Sequence, residues 1–373
     1  MSSALTKPDG RPKLNIGMLG YGFMGRAHVN AYRTIPYMFW PNGARPNLHM
    51  IVGRSKEAVS VAATRYGFEQ HSTDWKDLIT SSEVTVFDNV GPDNVHFEST
   101  MAAISVGKHV ICEKPLSWFS AEAAALADAA EKAGVKSLTC FNYRFVPAVR
   151  LARDLIRNDE LGEIVTSTFR YAQEWRTDTN ATLPTNSGAL NVIGCHAVDL
   201  AHFLLGDIAD VSGLLSNPVT PMEKAEPVDT VTSVVRYSAG SVGTISATLI
   251  APGRRNHLSF EINGSKGSIT WDLENLNSLY YFKRDGSRIN GFTEEIVCEA
   301  HHPLVSPWWP SGHILGWEHS HINMLNHFLN SIVDDQGKES DAATFRDGAR
   351  AAEFGKALVD SMDTGERTQV IYS

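Results

Sequence analysis

Cysteine is scarce: four residues in 373 (Cys112, Cys140, Cys195, Cys298), far apart and with no Cys-x-x-Cys pair. That spacing argues against a disulfide framework or a zinc ribbon and reads as reduced, mostly buried thiols of a cytoplasmic protein. No apolar run approaches the length of a bilayer span, and the first eight residues lack the apolar core of a secretion signal. Cations are outnumbered, 33 Lys and Arg against 42 Asp and Glu for a net charge of −9, and form no run. Nucleic acid is therefore not an expected partner, nor is a membrane. No repeat or low-complexity tract interrupts the chain. What remains is an ordinary globular composition, 43% hydrophobic and 20% charged, in a chain long enough for two domains.

The first chemical signal is local. The apolar strand Leu14–Leu19 runs into Gly20-Tyr21-Gly22-Phe23-Met24-Gly25 and then into a helical pattern from Arg26. A bare G-x-G-x-x-G carries little weight, but between a strand and a helix it has the context a dinucleotide needs. Gly20 makes the tight turn, Gly22 lets the backbone approach a pyrophosphate, and Gly25 lets the helix pack close to the strand. The next strand, Leu48–Val52, ends at Gly53, Arg54 and Ser55, where an NAD-selective site usually carries an acid for the ribose 2′-hydroxyl. Arg54 and Ser55 suit a 2′-phosphate, so NADP is expected to be accepted beside NAD; the alternative is that Arg54 stacks on adenine while NAD binds. The strand ending in Asn89 and the turn Gly91, Pro92 to His96 are expected against the ribose–nicotinamide side. A further strand, His109–Cys112, delivers Lys114 to the carboxyl edge of the sheet, and Pro115 ends the ladder, with a cis bond in view. The alternation of strand and helix from 14 to 141 predicts an α/β domain with a parallel doubly wound sheet, residues 1–141.

From Glu163 the pattern changes to period two. Leu258, Phe260 and Ile262 alternate with polar residues, Asn263-Gly264 reads as the turn into Gly267–Trp271, and Val228–Tyr237 turns at Ala239-Gly240 into Val242–Leu249. Residues 142–373 are therefore expected to form an α+β domain on a mostly antiparallel sheet, closed by helices near 316–333 and 344–362. Within it, His196 and Asp199 lie one turn apart at the start of an amphipathic helix, a spacing that suits a base with an orienting carboxylate. No glutamate completes a zinc-protease pattern, so no metal is expected. Trp309 beside Trp308 offers an apolar platform for a sugar ring, with His313 on the same loop.

Taken together, the glycine loop, Glu113-Lys114-Pro115, Asn142-Tyr143-Arg144 and Gly188 through Asp199 resemble the glucose–fructose oxidoreductase / inositol dehydrogenase (Gfo/Idh/MocA) family over nearly the whole chain. The resemblance implies an N-terminal Rossmann domain, an open C-terminal sheet through which a homodimer or homotetramer forms, and a nicotinamide cofactor. It implies Glu113, Lys114, Asn142 and Trp175 near that cofactor, and Lys114, Tyr143, Arg144, Trp175, Asn191, His196, Trp309 and His313 around a carbohydrate substrate. It also implies transfer of a hydride from a secondary hydroxyl, with His196 taking the proton and Lys114 steadying the alkoxide. One position departs from the family: the aspartate usual four residues before the histidine is Val192, which leaves Asp199 or Asp178 to supply an acid. Two other outcomes stay open, glycoside cleavage by transient oxidation and elimination, and a dinucleotide sensor without catalysis.

Overall fold

The computed structural model describes residues 10–41, 43–176, 188–216, 228–288, 290–334 and 341–373. Packing divides the chain into two units: Met1–Leu116, Ala125–Asn142 and Trp317–Phe345 in the first, and Ser117–Ala124, Tyr143–Gly316 and Arg346–Ser373 in the second.

The first unit alternates strand and helix: β1 (Lys13–Leu19), α1 (Phe23–Met38), β2 (Arg45–Val52), α2 (Lys56–Tyr66), β3 (Gln70–Ser72), α3 (Lys76–Thr80), β4 (Val86–Asn89), α4 (His96–Ser105), β5 (His109–Cys112), α5 (Ser120–Ala133) and β6 (Ser137–Thr139). Its six strands run in the order β3-β2-β1-β4-β5-β6, every pair parallel. Ile16, Met18, Val86, Phe87, Val110 and Ile111 are fully buried, as central strands covered on both faces must be. The order reverses between β1 and β4, which puts the glycine loop at the switch point where such sheets bind ligands.

The second unit holds α6 (Pro147–Arg157), β7 (Ile164–Ala172), α7 (Cys195–Leu205), β8 (Ile208–Ser216), β9 (Thr230–Tyr237), β10 (Val242–Thr248), β11 (His257–Gly264), β12 (Gly267–Asp272), β13 (Ser278–Lys283) and β14 (Thr293–Ile296). After α8 (Trp317–Val333) come α9 (Phe345–Thr364) and β15 (Thr368–Gln369). The nine strands order as β14-β13-β12-β11-β7-β10-β9-β8-β15, antiparallel except where β10 runs beside β7. Strict alternation of burial along β9, β10 and β12 leaves one sheet face in the core, where Phe169, Phe260 and Trp271 pack ring on ring at 5.9 and 5.6 Å.

Beside the expected division into 1–141 and 142–373, α8 packs on α1, and by packing residues 317–345 group with the first unit. Two expectations need correction. Asn263-Gly264 is not the turn: Asn263 pairs with Ser268, so Ser265 and Lys266 form the loop. Gly264 is required for another reason, since a Cβ there would stand 2.1 Å from the Leu161 carbonyl oxygen. The helix carrying His196 is not amphipathic but buried on every side over Cys195–Leu204, a core helix.

Candidate active site

The first half of the site follows from one turn. Gly20 has φ +109°, and a Cβ there would meet the Val90 carbonyl oxygen at 2.7 Å, so only glycine fits. Around Gly22 nothing lies within 4 Å of an added Cβ, an open approach to the backbone. No side chain caps α1, and its first turn carries no acid, which leaves its N–H groups and positive end to an anion. A cavity of about 450 Å³ adjoins this turn. Gly20, Gly22, Phe23, Met24, Gly53, Arg54, Gly91 and Pro92 line it, with Tyr21 of the glycine motif and Val95 of the turn after β4; Thr73 and Trp75 line it too and carry no sequence signal. The donors, the depth and the backbone access fit a dinucleotide.

Other residues expected at the cofactor make contacts that hold the frame. Gly25 brings α1 against the turn, with an added Cβ 3.2 Å from the Gly20 oxygen. Ser55 caps α2 by accepting from the Ala58 N–H. Asn89 donates to Ser99 and Thr100 and accepts from the Gly91 N–H, which fixes the turn after β4. His96 joins the Pro115 carbonyl (2.9 Å) to the Gly91 carbonyl (3.2 Å). Asn142 donates to Ser320 Oγ at 2.8 Å. The Lys114–Pro115 bond is cis.

Behind Lys114 lies a buried polar network. Asp88 on β4 accepts from the Tyr32 hydroxyl (2.8 Å) and faces His28 Nδ1 (2.9 Å); His28 Nε2 faces Glu113 Oε1 (3.1 Å), and Glu113 Oε2 accepts from the Lys114 backbone N–H. Burial opposes charge on His28, yet the Asp88 charge and hydrogen bond together raise its pKa well above the ordinary value. Burial likewise works against an ionised Glu113, and the His28 hydrogen bond with the charges of His28 and Lys114 brings it below the usual carboxylate range. The Cys140 thiol completes a His28–Glu113–Cys140 group whose ligand atoms lie within 4.8 Å of one another. Both imidazole nitrogens are already engaged by carboxylates, and burial pushes the thiol up to about 12. The donor set is therefore an interior proton network and does not suit a cation. Glu113, expected near the cofactor, anchors the Lys114 backbone.

The second unit carries His196. A π-turn, Leu190–Gly194, leads into α7 and contains Asn191, whose carbonyl accepts from the Cys195 thiol. Gly194 sits where a Cβ would be 3.2 Å from Ala247 Cβ, so the turn lies close on β10. His196 is 7% exposed, with the Tyr143 ring edge-on at 4.8 Å and the Tyr171 ring at 5.9 Å. Asp199 does not orient it. Arg144 Nε lies 3.0 Å from each Asp199 oxygen and Nη2 2.6 Å from Oδ1, while Nη2 also reaches Asp347 at 3.0 Å. Arg144 and Asp199, expected as substrate ligand and catalytic acid, form a buried ion pair with each other. Burial raises the Asp199 carboxyl to about 6 against the pull of Arg144, and both groups carry charge at neutral pH. The other candidate acid, Asp178, lies outside the described residues. Trp175, half exposed, donates to Gln173; Trp309 is 48% exposed, and His313 is tied to the Pro310 carbonyl on the loop before α8.

Residues 14–141 match the oxidoreductase family with an NAD-binding Rossmann fold, and residues 149–270 match the GFO/IDH/MocA C-terminal domain. Levoglucosan dehydrogenase of Pseudarthrobacter phenanthrenivorans is 33% identical over 93% of this chain and 96% of its own. Glucose-6-phosphate 3-dehydrogenase of Bacillus subtilis is 27% identical over 91% and 93%. Among solved structures, levoglucosan dehydrogenase in complex with NADH superposes with a TM-score of 0.92 at 32% identity, covering 97% of this chain and all of the other. An oxidoreductase domain protein from Kribbella flavida gives 0.90 at 36% identity over 96% and 100%. With both halves matched and the glycine turn, cavity and sheet order in place, the chain belongs to the Gfo/Idh/MocA family of nicotinamide-dependent, hydride-transferring oxidoreductases.

Proposed function

We propose that this oxidoreductase acts on a secondary hydroxyl of a sugar, anhydrosugar, inositol or glycoside, with His196 and Lys114 as its acid–base pair. The observation that carries the substrate class is the likeness to a levoglucosan dehydrogenase along essentially the whole of both chains. A bound nicotinamide supplies the hydride acceptor. His196 takes the hydroxyl proton, a role suited to an imidazole base. The Lys114 ammonium balances charge on the oxygen as the hydride departs. Tyr143 and Tyr171 pack their rings against the imidazole, and the Glu113–His28–Asp88 network keeps the Lys114 backbone in register. Lys114→Ala and His196→Ala are expected to lose about 10²–10⁴ in turnover while NADH still binds by fluorescence titration. Unchanged turnover in both variants would refute the assignment.

Acceptance of NADP is part of the reading, supported by an exposed Arg54 on the wall of the nucleotide cavity. Michaelis constants for the two cofactors test it, and much better use of NAD would sink it. A cytoplasmic homodimer or homotetramer is the expected form, tested by light scattering of the eluted protein.

A further inference from the structure

Five side chains of the second unit form a hydrogen-bonded ladder that ends at His196. Trp175 Nε1 donates to Gln173 Oε1 (2.6 Å), Gln173 Nε2 donates to Asn256 Oδ1 (2.6 Å), and the Tyr171 hydroxyl donates to the same Oδ1 (2.7 Å). The Tyr143 and Tyr171 hydroxyls lie 3.0 Å apart, and both rings flank His196. Tyr171 lies on β7, Gln173 and Trp175 follow directly after its end at Ala172, and Asn256 stands at the head of the neighbouring β11.

The ladder has a direction, and Trp175 sets it. An indole N–H can only donate, so Gln173 must turn its oxygen to Trp175 and its amino group to Asn256. Asn256 must then offer its oxygen. With Oδ1 filled by two donors, the Tyr171 hydroxyl is a donor there and accepts from Tyr143. The Asn256 amino group, on the other branch of the same planar amide, donates to no acceptor among the described residues, and Asn256 is only half buried. A ladder that served only its own members would turn that amino group into the fold. Of the arginines nearby in sequence, Arg176 is engaged by Asp229 at 2.9 Å, Arg254 by Glu274 at 2.8 Å and Arg255 by Glu174, while the exposed Arg170 lies on the face of β7 opposite Tyr171. The ladder thus presents a neutral donor and no clamp for an anion.

We infer that Asn256 is a specificity-determining residue whose Nδ2 donates to a hydroxyl or ether oxygen of an uncharged sugar, with Gln173 and Trp175 as positioning residues that fix its amide. This rests on the sugar-dehydrogenase reading and narrows it, since among the described residues a sugar phosphate finds no unpaired guanidinium on the ladder's side of β7.

The test is steady-state kinetics of the full chain with levoglucosan, myo-inositol and glucose 6-phosphate as probes, beside NADH titration and melting curves. Asn256→Asp and Asn256→Ala are expected to raise KM for the accepted neutral probe about tenfold with kcat and NADH affinity little changed. Trp175→Phe frees both amides to turn and is expected to raise KM about threefold, with its folding intact by melting. Wild-type KM in both Asn256 variants, or glucose 6-phosphate used as well as the neutral probes, overturns this inference alone. No turnover of any neutral probe by the unaltered protein overturns the sugar reading and this inference with it.

Discussion

Replacing Asp199 by asparagine separates two roles that the sequence could not. The pair it forms with Arg144 has side chains 5% and 2% exposed and three contacts of 3.0 Å or less. Removing one member of so buried a pair costs about 3–5 kcal/mol, because the other charge is stranded in a low-dielectric interior. Asp347 remains on Nη2 at 3.0 Å but is 22% exposed, and asparagine keeps one acceptor oxygen. The loss should therefore fall at the low end, about 3 kcal/mol. A unit of this size changes its melting temperature by about 2–4 °C per kcal/mol, so a drop of about 6–12 °C is expected. Below the new transition, kcat per folded molecule should stay within about threefold of the parent. Scanning fluorimetry and kinetics on the same preparation read both quantities. An unchanged melting temperature with kcat down about 10²-fold would refute the reasoning and return Asp199 to His196 as its orienting acid.

Acid should weaken the fold through two neutral histidines. Burial holds His202 and His321 down to about 3, helped by Arg350 and Arg144 for the first and by His28 for the second. A base depressed on folding gives its full stability above its unfolded value of 6.5, and that stability is lost as pH falls from there toward about 3. Each contributes a slope of about 1.4 kcal/mol per pH unit. His28, raised, works oppositely: its contribution is whole below 6.5 and fades as pH rises through its folded value, so it does not offset the acid loss. Melting temperature should fall from about pH 6.5 to 5, and less steeply in His202→Gln; a flat profile rejects the account. Gly20→Ala should weaken NADH binding and lower the melting point, since φ +109° and a carbonyl oxygen 2.7 Å from the new Cβ both oppose it; unchanged NADH titration would count against the turn's role.

The first unit was legible because its signals are local. The glycine turn and the strand–helix alternation from 14 to 141 each need only a few neighbouring residues to specify them. The errors share one cause, a partner far along the chain. His196 and Asp199 are three apart, and that spacing hid Arg144, which comes 55 residues before Asp199 and claims its carboxylate. Gly264 looks like a turn until Leu161 is seen beside it. Gln173 and Asn256 belong to no motif, and only the pairing of β7 with β11 brings them together. The helix burial pattern around His196 failed for a related reason: Asp199 and His202 look like a solvent face, but one is paired with Arg144 and the other bonded to Tyr372, so both sit inside.

The place of α8 has a consequence for how the chain is made. Its contact with α1, the Asn142–Ser320 bond and the Thr139 N–H held by the Ala343 carbonyl all wait for residues translated long after β6. At about 5–20 residues per second, some 10–40 s separate the emergence of the last parallel strand from that of the helix that covers α1. During that interval the nascent nucleotide unit shows a bare apolar helix face, a surface for chaperones to hold. A gene cut after residue 141 would freeze the chain in that state.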